Sequence, residues 1–196
     1  MVFDAFNSAF DHLPLVGIID EQIFCAHGGI PYSVARVEEL YKIPMPLADP
    51  ENQSKPAWEV GDCWFITTFS KSLLDTLLLL LLQILWSDPI TDEEYREVCQ
   101  FHNTPGDTGF TDNLRRSTAF YFTEKALRNF LKANGLSHVI RAHELEMDGY
   151  RFHHSGLLLT VFSSSRYCHS LNRSSCIFVD TRGDAAGFLK VVSLDT

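Results

Sequence analysis

Ile23-Phe24-Cys25-Ala26-His27-Gly28-Gly29 is the stretch on which the reading of the whole chain turns. An apolar run of strand length that ends in turn residues is the pattern of a core strand. Paired glycines just past its end let the backbone turn sharply and let another group approach closely. A histidine at that junction is held from behind while it faces a cleft. Taken alone, the bland reading is a core histidine with a hydrogen-bonded ring. The pattern recurs, however. Val139-Ile140 leads into Arg141-Ala142-His143, and residues 157–162 lead into Ser163-Ser164-Ser165-Arg166-Tyr167-Cys168. If the three strands share a sheet and run aligned, His27, His143 and Tyr167 line one rim, where layered folds gather ligands. Two histidines from separate strands can give imidazole nitrogens to one metal ion, which takes about four ligands in all.

Composition narrows the class. The 196 residues suffice for one domain with a real core, and 45% apolar with 21% charged residues is close to the globular average. A net charge of −9 argues against a nucleic-acid or anionic-membrane surface. Basic residues are scattered, with Arg115-Arg116 as the one adjacent pair. Five cysteines without a C-x-x-C spacing fit reduced thiols, and the amino terminus has no basic segment of a signal peptide. A cytoplasmic or nuclear location is the expectation. No period of solenoid length recurs.

Along the chain, Phe3, Phe6, Phe10 and Leu13 recur at helical spacing up to Pro14, predicting an amphipathic helix whose stripe packs on something nearby. Residues 15–19 read as a strand, joined through Asp20-Glu21 to 22–25 as a hairpin. Ser33 is placed to cap a short helix bearing Val34, Val37, Leu40 and Tyr41. Four prolines in 44–60 predict an exposed loop. Residues 73–85 hold nine leucines, six consecutive from 77 to 82. A membrane span needs about 20 apolar residues, and Lys71, Asp75 and Gln83 interrupt any such window, so a buried helix is expected. Alternatively 59–82 is an insertion from a faulty gene model. An exposed helix is expected from about Thr91, and a polar loop over 103–109. The clearest helix is capped by Thr123, striped by Leu127, Phe130 and Leu131, and closed by Asn134-Gly135. A hairpin at His154-Ser155-Gly156 and strands at 176–179 and 188–192 follow. The whole predicts a mixed α/β, or α+β, layered fold.

Several motifs agree in order with one family. Leu13-Pro14-Leu15, the 23–29 stretch, Trp86-Ser87-Asp88-Pro89, Phe110-Thr111, Arg141-Ala142-His143-Glu144, Asp148-Gly149-Tyr150 and residues 162–168 together resemble the C-terminal part of a PPP-type serine/threonine phosphatase catalytic domain. The resemblance spans residues 1–196 apart from about 50–82. It implies a metallophosphatase β-sandwich flanked by helices, here partial. It implies two divalent metal ions (manganese, or iron and zinc) and attack of a metal-activated hydroxide on phosphoserine or phosphothreonine. Its partners would be a phosphoprotein substrate and a regulatory subunit, with no nucleic acid and no membrane. Carried over by residue, His27 and His143 match two ligands of one metal, Tyr167 matches the tyrosine beside the phosphate groove, and Asp88 and Arg141 match residues supporting the site from behind. Without the family, Asp88 reads as a turn residue before Pro89.

The departures matter as much. The family's Gly-Asp-x-His-Gly, Gly-Asp-x-Val-Asp-Arg-Gly and Gly-Asn-His-Glu motifs do not occur, so this chain is expected to offer at most one partial metal site. Gly106 stands where the resemblance expects a second phosphate-binding arginine. His169 replaces the glycine after Tyr-Cys, and Arg166 replaces an asparagine and would add positive charge near the phosphate. The alternative function is a catalytically inactive interaction module.

Overall fold

The computed structural model describes residues 2–10, 12–43, 73–101, 106–180 and 188–194. The proline-rich loop, the 61–66 stretch and the first half of the 103–109 loop lie outside them. Strands β1 (Val16–Ile19) and β2 (Ile23–Ala26) form the expected antiparallel hairpin, turned by Asp20 and Glu21 at φ 46° and 55°. Strand β2 then pairs parallel with His138–Arg141, and that strand pairs parallel with Leu158–Val161. Tyr150–His153 closes the sheet as an antiparallel edge. Numbered in chain order, the remaining strands are β3 (Asp88–Pro89), β4 (Phe110–Asp112), β5 (Phe120–Phe122), β6 (His138–Arg141), β7 (Tyr150–His153), β8 (Leu158–Val161), β9 (Ser174–Asp180) and β10 (Phe188–Leu194). The main sheet runs β1-β2-β6-β8-β7.

Side-chain alternation builds the layers. Phe24, Val139 and Leu158 stand side by side in register and face a core with Leu127, Phe130, Leu80 and Ile84. Ile23, Ile140 and Leu159 face the other way, against Ile177, Val179 and Val191 of the β9–β10 ribbon. Central strands apolar on both faces are what a parallel sheet covered on each side requires. The mixed α/β layered architecture is therefore present: helices, a five-stranded sheet and a strand pair.

The helices are α1 (Val2–Phe10), α2 (Leu73–Trp86), α3 (Asp92–Phe101) and α4 (Glu124–Asn134). In α4, Thr123 Oγ1 accepts from Ala126 N and Gly135 closes the end at φ 65°, as its residues predict. Thr91 and Glu94 cap α3 reciprocally: Thr91 N donates to the Glu94 carboxylate and Glu94 N donates to Thr91 Oγ1. The leucine-rich α2 buries Leu80, Leu82 and Ile84 in its described half. Among the described residues no helix is long and apolar enough to cross a membrane.

Three expectations need correction. The α1 stripe is largely exposed rather than buried: Phe3 is 77% exposed and Phe6 59%. Ser33 caps no helix, because the helical turn there is a 3-10 turn over Val37–Lys42 and the Ser33 hydroxyl accepts from Gln83 instead. Asp88-Pro89 is not a turn but a short strand, parallel to β5 in a small sheet β3-β5-β4. Strands of two or three residues leave no periodic signal in sequence.

Candidate active site

Strands β2, β6 and β8 run parallel, so their carboxyl ends share one rim. His27 follows β2, His143 follows β6, and Tyr167 follows β8, and all three line one cleft of about 950 Å³. The histidines are 116 positions apart in the chain, yet His143 Nδ1 lies 3.1 Å from His27 Nε2. Backbone pairing sets this distance, since Ala142 N donates to His27 O at 3.0 Å. His143 sits at φ 63°, a left-handed conformation that turns its ring back toward β2. Trp86, at the end of α2, meets the His143 ring edge to face at 5.1 Å.

The glycines after His27 are required by contact. A Cβ on Gly28 would stand 2.5 Å from the Leu85 carbonyl, and one on Gly29 would stand 2.5 Å from the Phe122 ring. The main chain therefore passes directly over the end of α2.

Behind the histidines lies a buried ionic network. Asp88 is fully buried and takes Arg141 Nη2 at 2.6 Å, Asn113 Nδ2 at 2.9 Å, Arg115 Nη2 at 2.9 Å and Arg116 Nε at 3.0 Å. Arg141 also donates to the carbonyls of Gly28 and Ser87 and to Glu144. Arg115 donates to Glu144 as well. Burial alone would raise the Asp88 carboxyl, but the guanidinium of Arg141, with Arg116 and Asn113, holds it well below the usual carboxylate range. Burial, then the charge of Arg116, pushes His143 down to about 3, and burial with Arg141 and Arg116 lowers His27. Both imidazoles are thus neutral at neutral pH.

Neutral imidazoles are the metal-binding form. Metal–nitrogen bonds of about 2.0–2.1 Å at angles near 90–110° put two ligand nitrogens roughly 2.8–3.4 Å apart, and the pair stands 3.1 Å apart. The donors fit two positions on one ion. Among the described residues no group of three or more His, Cys, Asp or Glu side chains converges.

Sequence reasoning missed the cleft's cations. Gly106 is exposed and outside the cleft lining, and the positive charge comes from Arg115 and Arg116. The signal was the lone Arg-Arg pair, which nothing tied to Asp88 before the β3–β5 pairing was known. Arg166 is not among the cleft-lining residues. Tyr167 is half exposed, its ring rests on Phe162 at 5.3 Å, and its amide donates to Asn172 Oδ1 at 2.9 Å. Arg166, Cys168 and His169 have φ of 51°, 49° and 67°, so the histidine stands where glycine fits without strain.

The chain resembles known proteins along most of its length. The family model described as calcineurin-like phosphoesterase matches residues 1–147. The chain is 30% identical over 183 residues to the serine/threonine-protein phosphatase 2B catalytic subunit A1 of Saccharomyces cerevisiae, covering 90% of this chain and 28% of that one. It is 30% identical over 176 residues to a protein phosphatase 2A catalytic subunit of Dictyostelium discoideum, covering 90% and 43%. Against serine/threonine-protein phosphatase BSL2 of Arabidopsis thaliana the figures are 28% over 178 residues, 91% and 14%. The chain thus spans less than half the length of these curated relatives. A solved protein serine/threonine phosphatase from Saccharomyces cerevisiae, with similarity to human phosphatase PP5, shares the fold at a TM-score of 0.62 and 23% identity, over 100% of this chain and 51% of that one.

Proposed function

The chain belongs to the calcineurin-like phosphoesterase family, and from that premise we propose that it serves in protein dephosphorylation, as the C-terminal part of a PPP-type serine/threonine phosphatase domain. The observation that carries this reading is the 3.1 Å pairing of His27 and His143 in a cleft shared with Arg115, Arg116 and Tyr167. His27 and His143 offer two lone pairs to one divalent ion. Arg115 and Arg116 set positive charge at the cleft wall, where a phosphate monoester carries its negative charge. The Tyr167 hydroxyl, at the mouth, can donate to a phosphate oxygen. Asp88 and Arg141 hold the floor on which both imidazoles sit. In a complete domain two divalent ions would supply Lewis-acid polarisation of the phosphate and activation of water, and this chain offers a partial site for one of them. The substrate in this reading is a phosphoserine or phosphothreonine protein, and a regulatory subunit belongs to it as partner.

The donor set supports a second reading. Two imidazoles with no third ligating side chain among the described residues suit a non-catalytic interaction module that keeps the family's shape. Titration of the full chain with Mn(II) and Co(II), beside His27→Ala and His143→Ala, separates the two. Binding that each substitution weakens at least tenfold supports the metal-site reading. Wild-type chain that takes neither ion favours the interaction module.

A further inference from the structure

Gln83 stands between Leu82 and Ile84 in the buried half of α2 and is 3% exposed. A buried amide costs free energy unless its hydrogen-bonding capacity is used. Here it is used on one target. Gln83 Oε1 accepts from Tyr32 N and Ser33 N, both at 2.9 Å, and Nε2 donates to Ser33 Oγ at 2.5 Å. The next residue acts in the same direction: the Ile84 carbonyl accepts from Gly28 N at 2.8 Å and Gly29 N at 3.1 Å. Two adjacent residues at the end of α2 thus take four backbone amides of the 28–33 loop. That loop begins at His27.

We infer that Gln83 is a positioning residue that clamps the 28–33 loop onto α2 and so fixes His27 Nε2 opposite His143 Nδ1. The geometry favours this over mere satisfaction of a buried amide. A lone amide among leucines could have bonded back to its own helix, whereas both ends of this one reach a segment 50 positions away. The Ile84 contacts tether the loop at its glycines, and Gln83 tethers it at the far end, so the stretch between is held at two points. His27 is then oriented from the loop side by α2 and from the strand side by β6, through Ala142 N on His27 O. Leucine at position 83 would leave the Tyr32 and Ser33 amides without their acceptor and release one of the two tethers. The inference goes beyond the proposed function, since it concerns the imidazole pair itself, with or without a metal ion.

The test is a long-range proton–nitrogen spectrum of the histidine rings in the metal-free, nitrogen-15-labelled full chain. Gln83→Met keeps the volume and removes the amide, and Gln83→Glu keeps oxygen acceptors for Tyr32 and Ser33. In the wild type, His27 and His143 are expected to show one bonded tautomer pair. Gln83→Met is expected to give both rings the mixed tautomers of free imidazole, whereas Gln83→Glu keeps the wild-type pattern. His154, bonded to Phe122 O at 3.2 Å, serves as the reference ring and stays unchanged in both. An unchanged His27–His143 pattern in Gln83→Met overturns the inference. So does a shift of His154 as large as that of His27, which marks general loosening. If Gln83→Met fails to fold, Ser33→Ala removes the Nε2 partner alone. It is expected to shift His27 the same way to a smaller extent, and an unmoved His27 there is equally fatal. Co(II) affinity, read in parallel, should fall about tenfold in Gln83→Met, the scale of a lost supporting contact around a metal ligand. Wild-type chain that takes no Co(II) counts against the proposed function and leaves the ring spectra to decide the present inference.

Discussion

Arg141 and Asp88 are both fully buried and pair at 2.6 Å, inside a network that also joins Asp88 to Arg115 and Arg116 and Arg141 to Glu144. A buried ion pair contributes little net stability when intact, but breaking it strands a charge and costs about 3–5 kcal/mol. Arg141→Met strips the partner from Asp88 Oδ1 and from the Gly28 and Ser87 carbonyls at once. Asp88 keeps Asn113, Arg115 and Arg116 on its other oxygen, so the cost in urea unfolding is expected to fall below that figure, at about 1–3 kcal/mol, the cost of buried acceptors left without a donor. The pH dependence has a definite sign. Asp88 titrates lower in the folded chain than its unfolded value of about 3.9. Its contribution is therefore fully present above pH ~4 and is lost as pH falls below that, when the unfolded state takes the proton first. Asp88→Asn should flatten the stability–pH curve below pH 4 and leave its slope between pH 5 and 7 unchanged. A wild-type curve already flat down to pH 2 would contradict this. Asp88, Arg141, His27 and His143 were legible because they stand inside recognisable motifs. Arg115, Arg116 and Gln83 were not, because their partners lie 27, 28 and 50 positions away and depend on pairings too short to leave a pattern.

At the scale of elements, strands apolar on both faces announced themselves, and so did α4, whose cap, stripe and closing glycine all point one way. What could not be read was the seating of α2 on the 28–33 loop. Its six consecutive leucines present no preferred face, so periodicity is silent there, and the contact is specified by two glycines and one glutamine. Gly28→Ala tests that seat directly. Its Cβ would meet main-chain atoms of Leu85 and Trp86 at 2.5–2.7 Å, which no side-chain rotation can relieve. Overpacking of this kind costs typically about 1–3 kcal/mol, and the loss should appear as a lower denaturation midpoint together with weaker Co(II) binding. Gly17→Ala is the control, since the nearest atom to its Cβ is 3.9 Å away. It should stay within about 0.5 kcal/mol of wild type.

Across the whole molecule, the sheet has one covered centre and two kinds of margin. Strand β7 closes one side as an antiparallel hairpin partner, and β1 is the last strand on the other. Near β1 in sequence lies α1, whose Val2, Phe3, Phe6 and Phe10 are all more than half exposed. The periodicity identified the helix correctly but could not say what its stripe meets, because amphipathicity records that a face is apolar and not which surface covers it. A strand edge that has no partner among the described residues, together with exposed aromatic side chains on α1, favours association between copies. The net charge of −9 opposes it through repulsion, which salt screens. The chain of residues 1–196 is therefore expected to associate more strongly as salt rises from about 0.05 to 0.5 M, where the Debye length shrinks from roughly 14 to 4 Å. Sedimentation velocity reads this directly. Phe3→Glu with Phe6→Glu should restore the monomer at every salt concentration while leaving the histidine-ring spectrum unchanged, because α1 contributes no residue to the cleft. If association instead persists in the double variant, the strand edge rather than the helix carries it. In that case Gly17→Lys, at an exposed position in the middle of β1, should abolish it.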